Sequence, residues 1–282
     1  MNYTFPTYEE AEKTSDVARY CTKSEYETAV RDRRFEFQKI KYLSDRLKIT
    51  AYVYRPQKLT EQKLPTIIFN RGSFIRRDIA AELIVSFHRL AREGFAIIAP
   101  LYRQSDGGEG KDEMGGADMN DLMNTAQLAK QLNFVDTENL FMYGESRGGM
   151  MTYQALRNRF PLKAAAVFGA FTDMEAFLTA SPNSSAVAKQ IWPDFEQKKP
   201  EIFYQRSAIR WADKIDTPVL IMHGGADSLV SPLQSLLMAE QLQKLGKPYE
   251  LMIYAGDNHI LSNNRIERDQ RVSNWFKKYL SN

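Results

Sequence analysis

Short apolar runs alternate with longer segments of helical apolar spacing along most of the chain. Runs rich in branched and aromatic side chains indicate strands, and apolar residues three or four positions apart indicate helices. The alternation predicts an α/β protein with an eight-stranded, mostly parallel sheet covered by helices on both faces, beginning with an antiparallel pair. The predicted strands are 34–40, 48–54, 66–69, 95–99, 140–143, 164–168, 219–222 and 249–254. The predicted helices are 79–92, 119–132, 150–157, 233–245 and 265–280.

Two segments fall outside this alternation. Residues 1–33 carry charged and aromatic side chains at loosely helical spacing, and we predict a helical extension that packs on the sheet or mediates self-association. Residues 34–282 form the predicted main domain. Within it, residues 173–211 lie between the sixth and seventh strands and are predicted to be a cap insertion. Its aromatic residues, Trp192 among them, either line a substrate pocket or form a small core of the insertion. The glycine-rich segment 106–116 is either a mobile rim of the site or a long surface loop.

The pentapeptide Gly-Glu-Ser-Arg-Gly at 144–148 stands between an apolar run and a helix-like segment. A serine that attacks a carbonyl stands on a sharp turn from strand to helix, where flanking glycines permit a close backbone approach that a side chain would block. This context predicts a nucleophile elbow with Ser146 as the nucleophile. The alternative is an incidental glycine-rich turn.

The general base must come from the three histidines of the chain, and in this architecture it follows the nucleophile and the acid. His88 lies in a predicted helix, and His223 ends a predicted buried strand ahead of the candidate acid. Both are expected to be structural. His259 lies in a loop after the last predicted strand, so we predict that it is the base.

The acid is predicted to be Asp227, which stands just past a predicted strand, where its carboxylate can orient the imidazole. Asp257 is the main rival because it lies two residues from His259. In a turn, however, an aspartate commonly accepts hydrogen bonds from its own backbone. Asp213 and Asp216 precede the strand and are expected at the opposite end of the sheet from the chemistry.

Acyl transfer also needs hydrogen-bond donors for the oxyanion that forms on the substrate. The backbone N–H after the nucleophile belongs to Arg147, and the loop after the third predicted strand offers Gly72 as the second donor. The alternative for Gly72 is that it only permits a tight turn. Arg71 is predicted to contribute its side chain to substrate binding. The guanidinium groups of Arg71 and Arg147 would make the pocket positive unless they are paired with a carboxylate such as Glu145 or Asp78.

Together with several further motifs, these residues resemble the catalytic domain of the prolyl oligopeptidase family of serine peptidases, within the α/β-hydrolase superfamily. The resemblance covers most of the chain from about residue 35 onward and implies the α/β-hydrolase fold with Ser146, Asp227 and His259 as the catalytic triad. The motifs are Tyr-Arg at 102–103, a glycine-rich run at 107–112, Gly-Gly-Ala-Asp at 115–118, Ser-Arg-Gly-Gly at 146–149, His-Gly-Gly-Ala-Asp at 223–227 and Gly-Asp-Asn-His at 256–259.

Two features depart from the family pattern. Members commonly carry a β-propeller ahead of the hydrolase domain, whereas fewer than about forty residues precede the first predicted strand here, so no propeller is expected in this sequence. The family usually has a tyrosine or histidine ahead of the oxyanion-loop glycine, and this chain has Arg71 there. Both departures leave a peptidase and a carboxylesterase open, with a short peptide or a small-molecule ester as the substrate.

The composition of the chain bears on which other classes of protein are expected. The formal charge of +3 and the lack of a basic stripe give no indication of nucleic-acid binding. Cys21 is the single cysteine, so neither a disulfide framework nor a cysteine nucleophile at the elbow is expected. No metal site, cofactor or membrane association is predicted, and the polar amino terminus favours a cytoplasmic location. A homo-oligomer remains open.

Two other classes compete with a serine hydrolase. A non-catalytic interaction protein of the same fold is the first, and the predicted triad weighs against it. A dehalogenase or epoxide hydrolase is the second, and it would need an aspartate at the elbow, where this chain has Ser146.

Overall fold

The apolar runs form the strands of one sheet in the computed structural model, which describes residues 3–74, 78–180 and 184–281. The strands follow the order β1-β2-β4-β3-β5-β6-β7-β8. β2 is antiparallel to both β1 and β4, and the other neighbours are parallel. The predicted sheet is therefore confirmed. The strands are β1 Phe35–Ser44, β2 Leu47–Pro56, β3 Leu64–Asn70, β4 Ala96–Pro100, β5 Val135–Glu145, β6 Ala164–Phe168, β7 Val219–Gly224 and β8 Tyr249–Tyr254.

The central strand β5 is longer than the apolar run that predicted it. Leu64 of β3 pairs with Val135, and the register then shifts so that Thr66 pairs with Leu140. The polar residues 136–139 thus continue the strand across an irregularity, which a search for apolar residues does not detect.

Twelve α-helices occur in the described residues, and they cover the two faces of the sheet. The predicted helix 119–132 is interrupted at Asn124, where the Thr125 hydroxyl donates to the carbonyl of Leu122 at 2.6 Å. In the part of the chain that the structure describes, no helix has the length and apolar character to cross a membrane. The helices are α1 Tyr8–Thr14, α2 Val17–Tyr20, α3 Lys23–Arg31, α4 Ala80–Arg92, α5 Met119–Met123, α6 Thr125–Gln131, α7 Arg147–Arg157, α8 Met174–Thr179, α9 Ser184–Ile191, α10 Phe195–Arg206, α11 Leu233–Lys244 and α12 Arg265–Lys277.

Each face of the sheet has its own hydrophobic cluster, because successive side chains of a strand point to opposite faces. Ile67 and Ile97 belong to the cluster that α4 and α12 cover, whereas their neighbours Ile68 and Ile98 belong to the cluster that α7 and α11 cover. All four isoleucines are fully buried. Burial on both faces explains why these strands read as continuous apolar runs.

The amino-terminal helices α2 and α3 pack against α4, and α1 packs on α2 and α3. All three share the hydrophobic cluster on that side of the sheet. Val17 and Tyr26 are buried there. Thr7 and Thr22 begin α1 and α3 with capping boxes, each exchanging hydrogen bonds with a glutamate three residues later. The division of the chain at residue 33 remains a prediction. Residues 1 and 2 of the predicted extension lie outside the described residues.

The insertion between β6 and β7 contains α8, α9 and α10, and its residues 181–183 lie outside the described residues. Trp192 is buried there and stacks on Phe195, with 6.0 Å between the ring centroids. Its indole N–H donates to the carbonyl of Glu113 at 2.9 Å, and the Arg206 guanidinium lies 4.8 Å from its ring. Trp192 therefore joins the insertion to the glycine-rich segment 106–116.

Candidate active site

Ser146 stands on a sharp turn between the end of β5 and the start of α7. Its backbone has φ 52° and ψ −117°, a strained conformation for a residue with a side chain. The turn brings α7 so close to the end of β3 that a Cβ on Gly148 would lie 2.0 Å from the carbonyl oxygen of Asn70. Only glycine fits at that position. This is the sharp turn from strand to helix that the pentapeptide predicts, and the role of Ser146 as the nucleophile stays a prediction.

The ends of four strands place the predicted site residues at one edge of the sheet. Gly72 follows β3, Ser146 follows β5, Asp227 follows β7 and His259 follows β8. Because β3, β5, β7 and β8 run parallel, their carboxyl ends meet at the same edge of the sheet. Gly72, Ser146 and His259 line a cavity of 280 Å³ there. Two larger surface grooves, of 960 and 440 Å³, are lined by none of these three residues.

Asp227 is hydrogen-bonded to His259, with 2.7 Å between Oδ2 and Nδ1. Its other oxygen accepts the backbone N–H groups of Leu229 and Val230, both at 2.9 Å. Burial alone would raise the pKa of Asp227, but hydrogen bonds from His223 and His259 outweigh it and hold the pKa well below its usual range. Asp227 is thus an ionised carboxylate in a fixed orientation beside His259.

Asp257, the rival acid, serves the backbone of the loop that carries His259. Its carboxylate accepts the N–H groups of Asn258 at 2.9 Å, Asn263 at 3.3 Å and Asn264 at 3.1 Å. Among the described residues, it has no hydrogen bond to His259. This arrangement is the local turn structure that the sequence offered as the alternative role of Asp257.

The sequence did not reveal that a second histidine contacts Asp227. His223 is fully buried, and its Nε2 lies 3.0 Å from Asp227 Oδ2 and 3.0 Å from the carbonyl oxygen of Val230. Since both neighbours of Nε2 accept, Nε2 carries a proton. Nδ1 of the same ring lies 2.7 Å from the hydroxyl of Ser235. The one sequence feature that could have indicated this contact is the short spacing of four residues between His223 and Asp227.

The side chain of Arg147 points away from solvent and binds the glycine-rich segment. Its guanidinium makes a two-pronged contact with Asp112, at 2.7 Å for each bond, and a third contact of 2.7 Å with Asp118. All three side chains are almost fully buried. The carboxylate partners are thus not the glutamate that the sequence suggested. The backbone N–H of Arg147 stays the predicted oxyanion donor.

Replacing Asp118 with alanine should lower the free energy of unfolding by about 3 to 5 kcal/mol, because the buried guanidinium of Arg147 loses one of its two carboxylate partners. Asp118 also accepts the N–H groups of Gly115 at 2.8 Å and Gly116 at 3.0 Å. Urea denaturation measures the change. The control is Asp194→Ala, which removes an exposed ion pair with Lys198 and should cost less than about 1 kcal/mol. Equal losses in the two variants would contradict this account of the network.

Arg71, for which we predicted a substrate-binding side chain, lines the cavity but directs its guanidinium to the protein. Its Nε and Nη2 donate to the carbonyl of Leu101, Nη2 also donates to the hydroxyl of Ser105, and Nη1 donates to three loop carbonyls, that of Phe74 at 2.6 Å among them. These acceptors engage all five guanidinium N–H groups. The ring of Tyr102 lies 4.9 Å from the guanidinium of Arg71 and from that of Arg147. The side chain of Arg71 thus holds the backbone of the loop that carries Gly72.

The wall of the cavity comes from the amino-terminal helices rather than from the insertion. Asp16, Arg19 and Tyr20 line the cavity beside Ser146, and none of the described insertion residues does. Trp192 lines a separate cleft with Glu113 and Arg206. The predicted binding role of Trp192 is therefore not supported, and the alternative of a small core holds for this residue.

Nothing in the geometry of the described residues suggests a metal site. In residues 3–74, 78–180 and 184–281, no group of three or more His, Cys, Asp or Glu side chains could hold a metal ion. Cys21 is free and buried in the cluster of the amino-terminal helices.

Comparison with known proteins decides the family. Residues 85–282 match the prolyl oligopeptidase family, and this match covers more than half of the chain. The chain belongs to the prolyl oligopeptidase family. It is accordingly a serine hydrolase, and its fold is the α/β-hydrolase fold with the eight-stranded sheet and the insertion after β6.

Three relatives show how far the likeness extends. The Uncharacterized peptidase YtmA of Bacillus subtilis (strain 168) is 30% identical over 193 residues, which are 67% of this chain and 74% of the relative. A Pyrococcus horikoshii acylaminoacyl peptidase superposes with a TM-score of 0.75 at 20% identity, covering 88% of this chain and 42% of that chain. A Mycobacterium tuberculosis puromycin-hydrolyzing peptidase superposes with a TM-score of 0.73 at 23% identity, covering 86% and 39%. This family member thus spans about two fifths of those two solved chains.

Proposed function

We propose that this protein cleaves a peptide, amide or carboxylic ester bond through an acyl-enzyme on Ser146, with His259 as the base and Asp227 as the acid. The observation that carries the proposal is the 2.7 Å bond between His259 Nδ1 and Asp227 Oδ2, made by a ring that shares a cavity with Ser146. Since Asp227 occupies Nδ1, the opposite nitrogen of the ring is left for the serine hydroxyl.

In the first half of the reaction, Ser146 Oγ attacks the substrate carbonyl while its proton passes to His259 Nε2. The negative charge on the carbonyl oxygen is stabilised by the backbone N–H groups of Arg147 and Gly72. Because Arg147 is the first residue of α7, the amino-terminal end of that helix adds a favourable dipole. His259 then gives the proton to the leaving amine or alcohol as its bond to the acyl carbon breaks.

In the second half, water attacks the acyl-enzyme. His259 takes a proton from the water, and the bond between the acyl carbon and Ser146 Oγ breaks. The proton returns to Ser146, and the carboxylic acid leaves. Asp227 stabilises the charged form of His259 in both halves and keeps its own charge, which agrees with the direction of its pKa shift.

The family and the peptidase names of the relatives favour an amide or peptide bond as the substrate. A carboxylesterase is the second candidate, because a cavity of 280 Å³ suits a small acyl group. Comparing p-nitrophenyl esters with aminoacyl and peptidyl nitroanilides separates the two. A higher kcat/KM on the nitroanilides, corrected for their lower intrinsic reactivity, would favour the peptidase.

Labelling with a fluorophosphonate tests the catalytic proposal without knowledge of the substrate. Ser146 Oγ should displace fluoride from phosphorus, and mass spectrometry should find one added phosphonyl group on the peptide that contains Ser146. Ser146→Ala should remain unlabelled. A folded wild-type protein that is not labelled would instead support a non-catalytic interaction protein.

A further inference from the structure

Glu145, the residue directly before the nucleophile, has a buried carboxylate with a single protein partner. It is 5% exposed and lines the same cavity as Ser146. One oxygen accepts the hydroxyl of Tyr20 at 3.1 Å. In the described part of the chain, the carboxylate has no other hydrogen bond and no ion pair. A carboxylate buried to this degree ordinarily needs a cation or several donors to offset its lost hydration.

The cations around Glu145 are already engaged with other groups. Arg268 interacts electrostatically with Glu145, but its direct contacts are with Asp269 and with the carbonyl of Ile260. Arg19 pairs with Asp16 at 3.8 Å. Among the described residues, no Lys or Arg nitrogen lies within 4.0 Å of a Glu145 carboxylate oxygen. The second lining cation, Arg71, has all its donors on loop carbonyls and Ser105.

The side chain of Glu145 lies beside that of Ser146, near the place where a substrate carbonyl would be attacked. A Cβ built on Gly72 would lie 3.3 Å from Glu145 Cγ and 3.3 Å from Ser146 Cβ. The side chains of Glu145 and Ser146 therefore flank the same stretch of the oxyanion loop. A carbonyl held there by Ser146 and Gly72 would carry its nearest substituents within a few ångströms of the carboxylate.

The amino-terminal helices complete this part of the cavity. Tyr20 is the last residue of α2, and Asp16, just before that helix, donates its backbone N–H to Glu82 at 3.1 Å. Residues 16–20 thus form a wall fixed at two points, of which the bond from Tyr20 to Glu145 is one. A wall this close to Ser146 restricts the length of the acyl group.

We propose that Glu145, oriented by Tyr20, binds a protonated amino group on the acyl part of the substrate. This inference rests on the proposed function and names its substrate class: aminoacyl compounds with a free amine next to the carbonyl. The ammonium supplies a direct ion-pair partner for the carboxylate, and the wall of residues 16–20 limits the length of the acyl group. The same compound with an acetylated amine loses both the charge and the fit.

The test compares alanine p-nitroanilide with N-acetylalanine p-nitroanilide at pH 7 in the wild type, Glu145→Gln and Tyr20→Phe. We expect Glu145→Gln to lower the ratio of kcat/KM values, free amine over acetylated, by about tenfold or more, since a hydrogen bond between two charges is lost. Tyr20→Phe keeps the carboxylate and removes only its orienting bond, so it should lower the ratio less than Glu145→Gln does. The wild-type ratio should also fall as the pH rises through the pKa of the substrate amine, about 7.7 to 8.0.

Two outcomes would overturn the proposal. One is an unchanged ratio in Glu145→Gln. The other is an equal fall in Glu145→Gln and Tyr20→Phe, which would mean that Glu145 only anchors the amino-terminal wall. If the wild type hydrolyses neither anilide, the same comparison is made by protection: alaninamide should slow fluorophosphonate labelling of Ser146 more than N-acetylalaninamide does. Labelling of wild-type Ser146 without any preference rejects the role of Glu145 alone, whereas no labelling rejects the proposed function itself.

Discussion

Replacing Ser146 with alanine should lower turnover by a factor of the order of 10⁶, because removing the nucleophile of a triad removes the covalent pathway. The strain at φ 52° is imposed by the elbow rather than by the serine hydroxyl, so the fold should be retained. The measurement is kcat on the best ester or anilide of the panel, with circular dichroism as the check of folding. The control is Ser231→Ala, an exposed serine outside the cavity, which should keep its activity within about twofold.

A well-folded Ser146→Ala protein with more than a few per cent of wild-type turnover would show that another residue is the nucleophile. Loss of activity together with loss of the circular dichroism signal would place the role of Ser146 in folding instead.

Replacing Asp227 with asparagine should reduce kcat by roughly 10⁴ near neutral pH. The amide would favour the wrong tautomer of His259 and would carry no charge to stabilise the imidazolium. Asp257→Asn is the matched control, since this carboxylate binds backbone N–H groups of the His259 loop and not the ring. Asp257→Asn should lower the melting temperature, and it should reduce kcat much less than Asp227→Asn does.

The ranking of these two variants decides the acid. If Asp257→Asn lost more activity than Asp227→Asn at equal folded fractions, the assignment of Asp227 would be wrong. The contact of His223 with Asp227 adds a further expectation within the same experiment: a bond from His223 to the introduced amide should not restore turnover, because the lost charge is not replaced.

Much of the fold was readable from local patterns. The isoleucine-rich strands β3 and β4 are buried on both faces, and such strands appear in any sequence as short apolar runs. The elbow was readable for a different reason. Its glycines stand at fixed positions relative to the serine because the turn brings the backbone at Gly148 against the end of β3. The ends of β5 and α5 were less predictable, because a shift in strand register and a local hydroxyl bond at Thr125 leave the apolar spacing unchanged.

The sequence by itself determined the succession of strands and helices along the chain and the turn at Ser146. It also determined Asp227 and His259 as the candidate acid and base that follow later strands. It did so because strand period, turn chemistry and the edge at which parallel strands end are local properties. Only the tertiary structure decided which charges meet. Arg147 bonds to Asp112 and Asp118, and Tyr20 reaches Glu145 across 125 positions of sequence. Such contacts depend on how distant segments pack, and a buried guanidinium accepts any carboxylate that packing brings within reach.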